Sequence, residues 1–122
     1  MKTNCTRLIP FVPSGPGFAR SIEFFEALGF EKLWENDGYV GLRSGGANFI
    51  LQDVDVPEWR RNQMHVLEVT DLDAYWAELE ALDLPGRFPG VRLGPPKPFP
   101  WGREVHIIDP GGVCWHVRQA EG

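Results

Sequence analysis

The sequence contains the same structural pattern twice, and this duplication limits the folds that the chain can adopt. Apolar side chains recur every three or four residues in two segments, so each segment predicts an amphipathic helix. The spacing is identical in both: Phe18, Ile22, Phe25 and Leu28 in the first segment, and Leu72, Trp76, Leu79 and Leu82 in the second. Extended segments follow each helix, and paired glycines precede the last of them in both halves. A duplicated unit predicts a binding site between the copies.

Short apolar runs separated by turn residues predict the strands of both halves. In the first half we expect strands at residues 7–12, 31–35, 39–43 and 47–52, with the helix after the first strand. In the second half we expect strands at residues 64–69, 104–108 and 113–118. Residues 85–102 are rich in proline and glycine, so they predict a long, ordered surface loop with at most one short strand, at residues 91–93.

The ends of the two helices carry residues that favour helix termination and capping. Ser14 is placed to cap the first helix, and Gly29 is placed to end it. Thr70 or Asp71 is placed to cap the second helix. The pattern therefore predicts two units of the form βαβββ. Module one covers about residues 5–53, a connector about 54–62, and module two about 63–119.

Length and composition indicate one α+β domain that binds neither nucleic acid nor membranes. The chain has 122 residues, and a domain of this size removes roughly two-thirds of its unfolded surface from water. The formal net charge of −5 argues against a nucleic-acid partner, which would need clustered basic residues. The sequence has neither a run of about 18 apolar residues nor a signal-peptide pattern. Cys5 and Cys114 form no disulfide framework, so we expect a cytoplasmic protein.

Three segments of the chain resemble a known protein family. They are the opening LIPFVPS with SIEFFEALGF, the middle HVLEVTDLDAYWAELEALDLP, and the closing PWGREVHIIDPGG. These segments resemble the glyoxalase/bleomycin-resistance group of the vicinal oxygen chelate superfamily, and most of all its bleomycin-resistance branch. The resemblance covers nearly the whole chain. It implies two βαβββ modules, each a curved half-barrel, assembled as a homodimer whose clefts lie at the subunit interface.

The resemblance also identifies the positions at which enzymes of this superfamily hold a divalent metal. Those enzymes take ligands from the first and last strands of each module, and the matching positions here are Arg7, Ile50, Met64 and His116. Only His116 is a metal donor, whereas a catalytic ion needs at least three histidine or carboxylate ligands. We therefore expect no metal ion and no cofactor. His65 is expected to point to the opposite face of the strand from Met64.

Strand alternation predicts the side chains on the concave side of each module. The last strand is expected to bury Val113, Trp115 and Val117 under a helix. The opposite, concave set comprises Arg7, Ile9 and Phe11 in the first strand, Met64, Val66 and Glu68 in the middle strand, and Cys114, His116 and Arg118 in the last strand. A cleft of this composition is apolar with a few polar groups, as small-molecule sites usually are.

Several of the candidate residues have a structural alternative. Trp59 and Trp101 lie in connectors, where a large aromatic side chain can meet a ligand or a second subunit, whereas Trp76 and Trp115 fit the core. Arg103 and Glu104 either form a salt bridge that holds the preceding loop or line the site. Glu104, His106 and His116 form either an acid-base cluster or a structural hydrogen-bonded group. The predicted ligand-binding residues are Trp101, Trp59, Arg7, Phe11, Met64, Glu68, Arg103, Glu104, His106 and His116, and no catalytic residue is predicted.

The sequence therefore predicts a metal-free protein that sequesters a small aromatic or cationic molecule in a dimer cleft. The first alternative is a divalent-metal-dependent enzyme, namely a glyoxalase-type lyase, an isomerase, a thiol transferase or a dioxygenase. That alternative requires His65, His116, Glu68 and His106 to share one cleft. The second alternative is an interaction module whose proline-rich segment contacts another protein.

Overall fold

The computed structural model describes residues 2–121 and shows two modules of the same topology. Module one contains β1 (Phe11–Pro13), α1 (Phe18–Ala27), β2 (Glu31–Asn36), β3 (Tyr39–Ser44) and β4 (Ala47–Gln52). Helix α2 (Pro57–Asn62) leads into module two, which contains β5 (Met64–Val69), α3 (Leu72–Leu82), α4 (Leu84–Arg87), β6 (Arg92–Phe99), β7 (Gly102–Ile108) and β8 (Cys114–Gln119). Among these residues, every helix is too short or too polar to cross a bilayer.

Each module forms one four-stranded sheet, and the strand order is the same in both. The orders are β1-β4-β3-β2 and β5-β8-β7-β6. In each sheet the first strand runs parallel to the last strand of its module, and the other pairs are antiparallel. The predicted α+β class and the internal duplication are confirmed.

The two modules share a single apolar core. Phe25 of α1 contacts Phe49 of β4 and Trp115 of β8, with ring centroids 4.9 and 5.5 Å apart. Phe24 contacts Phe88 of module two at 5.6 Å. All eight residues of the two predicted helical stripes lie in this core or pack against it. Burial of one such large apolar side chain contributes about 1.5–3 kcal/mol, so contacts between the modules stabilise both of them.

The first strand is shorter than predicted. The sequence predicts a strand at residues 7–12, but β1 spans Phe11–Pro13, and the described residues before it belong to no strand. Pro10 accepts a hydrogen bond from the Ile50 amide at 2.9 Å. It has no N–H to donate in return, which stops the parallel ladder at this point. Arg7 is therefore exposed and outside the sheet.

The proline-rich segment is a strand and a short helix, so the predicted long loop was wrong. Strand β6 is the edge of the second sheet and pairs only with β7. The pairing register shifts between Gly94 and Lys97, which places Pro95 and Pro96 where the ladder is already interrupted. Proline is tolerated on an edge strand and at a bulge because its missing N–H breaks no required hydrogen bond there.

The helix ends follow the sequence signals at two of the three predicted positions. The Asp71 carboxylate accepts a hydrogen bond from the Ala74 amide at 3.1 Å and so caps α3. Gly29 follows α1 with φ of 98°, and the Phe30 amide donates to the Phe25 carbonyl at 3.0 Å. This is the glycine-terminated helix end that the sequence predicts.

The third predicted position, Ser14, does not cap a helix. Its backbone instead forms a contact between the two modules. Ser14 is buried, and its hydroxyl donates to the Gly15 carbonyl at 2.9 Å, so it does not cap α1 as predicted. The Ser14–Gly15 backbone lies against Gly111 in the turn before β8. A Cβ atom on Gly111 would lie 2.5 Å from the Ser14 carbonyl oxygen, and one on Gly15 would lie 2.7 Å from the Gly111 Cα. The glycines permit this close approach.

We expect Gly111→Ala to destabilise the protein by about 1–3 kcal/mol, because the added methyl group forces two packed backbone segments apart. Gly46→Ala is the matched control, since Gly46 is one of the paired glycines of module one and a Cβ atom added there would meet no other atom within 4 Å. Urea denaturation measures both free energies of unfolding. Equal effects of the two substitutions would contradict the tight contact between the modules.

Candidate functional site

Each sheet has one face in the shared core and one open face. In β8 and at the residue before it, Val113, Trp115 and Val117 are buried, and the alternate residues lie on the open side, as predicted. Met64 and Val66 of β5 extend the open face of the second sheet and are 71% and 52% exposed. Side chains of this size are costly to leave in water, so these faces are candidate binding surfaces.

The open face of the first sheet carries an aromatic surface that includes Trp34. The indole of Trp34 lies against Gly41 of the neighbouring strand, and a Cβ atom at Gly41 would collide with the indole nitrogen. Trp34 is nevertheless 43% exposed, so the ring lies flat on the sheet with its outer face available. Phe11 and Tyr39 form an edge-to-face pair on the same face of the sheet, with centroids 6.1 Å apart.

The sequence pattern does not identify Trp34 as a site residue. The pairing of β2 with β3 shifts between Lys32 and Trp34, so simple alternation along β2 does not reveal which face Trp34 occupies. The available signal was the combination of a strand tryptophan with a glycine in the adjacent strand.

A buried carboxylate lies on the open face of the second sheet. Glu104 is 1% exposed. Its Oε1 atom lies 3.0 Å from His106 Nε2 and 3.0 Å from His116 Nδ1. Its Oε2 atom accepts a hydrogen bond from the Trp101 indole N–H at 2.6 Å and another from the Arg118 guanidinium. We call these five residues the Glu104 cluster. Its hydrogen bonds compensate the large cost of removing the charge from water.

Strand register assembles the Glu104 cluster. In the antiparallel pair of β7 and β8, Glu104 lies opposite Arg118 and His106 lies opposite His116. Residues two apart on a strand share a face, so these four side chains meet on the open side. Trp101 comes from the turn that precedes β7. The cluster is consistent with either of the two roles that the sequence left open for Glu104, because it combines a salt bridge with histidines on the open face.

Trp101 is held in place although it is 60% exposed. Besides its hydrogen bond to Glu104, its ring stacks on Phe99 with centroids 5.5 Å apart and an interplanar angle of 11°. Phe99 in turn stacks on His106 at 5.2 Å. An exposed aromatic ring that is already fixed loses little conformational entropy when a ligand stacks on it.

The protonation states of this face argue for binding more than for nucleophilic chemistry. Burial raises the pKa of Glu104, but the hydrogen bonds from His106, His116, Trp101 and Arg118 outweigh burial and lower the pKa to about 2. Burial also raises the pKa of the Cys114 thiol, and the Asp109 and Glu104 carboxylates raise it further. The thiol is therefore protonated at neutral pH, although His116 Nε2 lies 3.7 Å from its sulfur. A protonated thiol is a poor nucleophile.

The remaining predicted site residues lie outside the Glu104 cluster. Met64 and Glu68 are on the same open face, one strand away, where Glu68 lies beside Arg118. Phe11 is on the open face of the first sheet. Arg103 forms two hydrogen bonds with Asp73 of α3, at 3.0 and 2.9 Å, and so links β7 to that helix. The other two are Trp59, which is exposed on α2, and Arg7, which is exposed before β1.

The four superfamily metal positions do not provide a suitable set of ligands. Arg7 lies outside the sheet, and Ile50 and Met64 have no nitrogen or oxygen donor on their side chains. His65 cannot replace them, because it lies on the core side of β5, where its ring is 4.8 Å from that of Trp115. The metal-enzyme alternative requires His65 to share one cleft with His116, Glu68 and His106. The structure places His65 on the opposite face of the sheet from these three residues.

Several solved structures have the same architecture as this chain. The bleomycin-binding protein from Streptomyces verticillus, complexed with copper(II)-bleomycin, aligns with a TM-score of 0.80 and 25% identity over 98% of this chain and 99% of that chain. The bleomycin resistance determinant encoded on transposon Tn5 aligns with a TM-score of 0.82 and 19% identity over 97% of this chain and 100% of that chain. The chain has the fold of the glyoxalase/bleomycin-resistance group.

The same glyoxalase/bleomycin-resistance fold occurs in TnmS3, an antibiotic-binding protein from Streptomyces sp. CB03234. It aligns with a TM-score of 0.68 and 25% identity over 98% of this chain and 99% of that chain. No protein-family model and no curated protein matches the sequence. The resemblance of the quoted segments to this group of the vicinal oxygen chelate superfamily is thus supported by the three-dimensional structure.

The lowered pKa of Glu104 predicts a loss of stability in acid. Its carboxylate stabilises the folded state above the ordinary pKa of 4.5, and this contribution is lost as the pH falls from there toward the folded pKa of about 2. Glu104→Gln removes the charge with little change in shape. We expect the difference in unfolding free energy between the wild type and Glu104→Gln to shrink as the pH falls below 4.5. A difference that does not change with pH would contradict an ionised Glu104.

Proposed function

We propose that the protein sequesters a small aromatic or cationic molecule in a cleft between two subunits, with no bond made or broken. The observation that carries this proposal is the pair of fixed, exposed tryptophans on the open faces. Trp34 lies flat on the first sheet, and Trp101 is held by Glu104 and Phe99 beside the second. Such rings stack on planar groups and also attract cations to their faces.

The open faces carry a few polar side chains that can orient a ligand. Glu68 is exposed on β5, whereas the charge of Glu104 is balanced by Arg118. An apolar surface with a small number of placed polar side chains is the usual composition of a small-molecule site. The fold shared with proteins solved in complex with bleomycin supports this class of ligand. The proposed binding uses no metal ion at the four superfamily positions.

The proposed cleft requires a second subunit. Both sheets pack on the one core that lies between them, so their open faces point away from each other. In a two-fold dimer, the first sheet of one chain can cover the second sheet of its partner, and symmetry then creates two equal clefts. This arrangement would also remove the exposed Phe11, Met64 and Val66 from water.

We expect Trp34→Ala and Trp101→Ala each to weaken ligand binding by about 1 kcal/mol or more, because each removes a stacking surface. Bleomycin is the first probe, followed by other planar cationic drugs, with affinity measured by calorimetry. Trp34→Phe is the matched control, since it keeps a ring and should retain most of the affinity. Trp59→Ala tests whether Trp59 on α2 also contributes to ligand binding. Full affinity in both alanine variants would contradict the proposed site.

We expect ligand binding and the dimer to be lost together on dilution, because each cleft uses surfaces from two chains. Sedimentation velocity measures the oligomeric state, and fluorescence titration over the same concentration range measures binding. A monomer that binds the ligand with full affinity would show that one chain forms the site by itself.

A further inference from the structure

We propose that Glu104, His106 and His116 bind one divalent transition-metal ion, such as Zn²⁺, Ni²⁺ or Cu²⁺, on the open face of the second sheet. This site goes beyond the proposed function and revises the expectation of a metal-free protein. It differs from the four superfamily positions, because two of its three ligands come from β7 and only His116 is common to both sets.

The geometry of the three side chains fits an ion with little movement. The three candidate ligand atoms all lie within 4.8 Å of one another. The Glu104 Oε1 atom lies 3.0 Å from His106 Nε2 and 3.0 Å from His116 Nδ1. Ligand atoms of a tetrahedral zinc site lie roughly 3.3 Å apart, given metal–ligand distances of about 2.0–2.1 Å. A small outward shift of the two rings would therefore admit an ion.

The surrounding hydrogen bonds hold the carboxylate in the orientation that a metal ligand needs. Trp101 and Arg118 both bind Glu104 Oε2, which leaves Oε1 aimed at the two imidazoles. Outer partners of this kind fix the direction and basicity of a ligating group.

Each histidine ring also contacts a second neighbour that restricts its orientation. The Nε2 atom of His116 lies 3.7 Å from the Cys114 sulfur. A proton on Nε2 can be donated to that sulfur, and the lone pair of Nδ1 is then free for an ion. The His106 ring is stacked on Phe99 at 5.2 Å, which limits its rotation. Both rings are therefore oriented before an ion arrives.

The donor set selects the class of ion. Two imidazole nitrogens and one carboxylate oxygen suit Zn²⁺, Ni²⁺ and Cu²⁺, whereas Mg²⁺ and Ca²⁺ require sites made mostly of oxygen. Because Arg118 offsets the charge of Glu104, binding depends mainly on the two imidazole nitrogens, to which hard cations bind weakly. The side chains of His106 and His116 are 34% and 19% exposed, so a fourth coordination position faces the cleft. Water or a donor atom of a ligand could occupy it.

The test is titration of the tag-free full-length protein, stripped with chelator, with Zn²⁺, Ni²⁺ and Cu²⁺ by calorimetry and without an organic ligand. We expect one ion per chain. His106→Gln and His116→Gln should each weaken binding by about tenfold or more, since each removes one of three ligands. His65→Gln is the matched control, because His65 is the third histidine of the chain and faces the core. It should leave the affinity unchanged.

A measurement on the wild type avoids any dependence on the folding of variants. Paramagnetic Ni²⁺ should broaden the ring NMR resonances of His106 and His116 before those of His65. Absence of saturable binding, broadening of His65 first, or an unchanged affinity in the His106→Gln/His116→Gln double variant would overturn the proposed metal site. Because no organic ligand is present, these outcomes are independent of the sequestration proposal.

Discussion

The shared apolar core is the constraint on which the rest of the structure depends. Phe25, Phe49 and Trp115 come from both modules and interlock between the two sheets. Because one face of each sheet packs against this core, the other face points outward. The open faces, and with them the positions of Trp34 and the Glu104 cluster, are consequences of how the two copies of one unit bury their helices.

The Glu104 cluster links the stability of the fold to the properties of the site. A buried carboxylate requires partners, and here its partners are side chains on the open face of the second sheet and in the turn before β7. The same hydrogen bonds that keep Glu104 ionised fix the Trp101 ring and aim both histidines at one oxygen atom. A buried charge satisfied in this way orders its surroundings even where its net contribution to stability is small.

The sequence alone was sufficient for the repeated topology and for most strand faces. Alternation in β8 identified the buried Trp115 and placed His116 on the open face, because a one-residue change of register would expose the whole buried set. The predictions were wrong at β6 and at the first strand. The effect of a proline there depends on how the segment pairs with its neighbouring strand, which proline content alone does not show. An edge strand with a bulge accepts Pro95 and Pro96, whereas a proline beside a parallel ladder ends it at Pro10.

What the sequence determined by itself is therefore the local pattern: two amphipathic helices, the strands that follow them, and the side of each strand that faces the core. Periodicity encodes these features, since burial acts on residues that are near one another in the chain. The sequence already grouped Glu104 with His106 and His116, but only the tertiary structure decided that Trp101 and Arg118 would also bind Glu104 and that Trp34 would rest on Gly41. Those contacts depend on strand pairing and register, which join distant residues through interactions that no local pattern specifies.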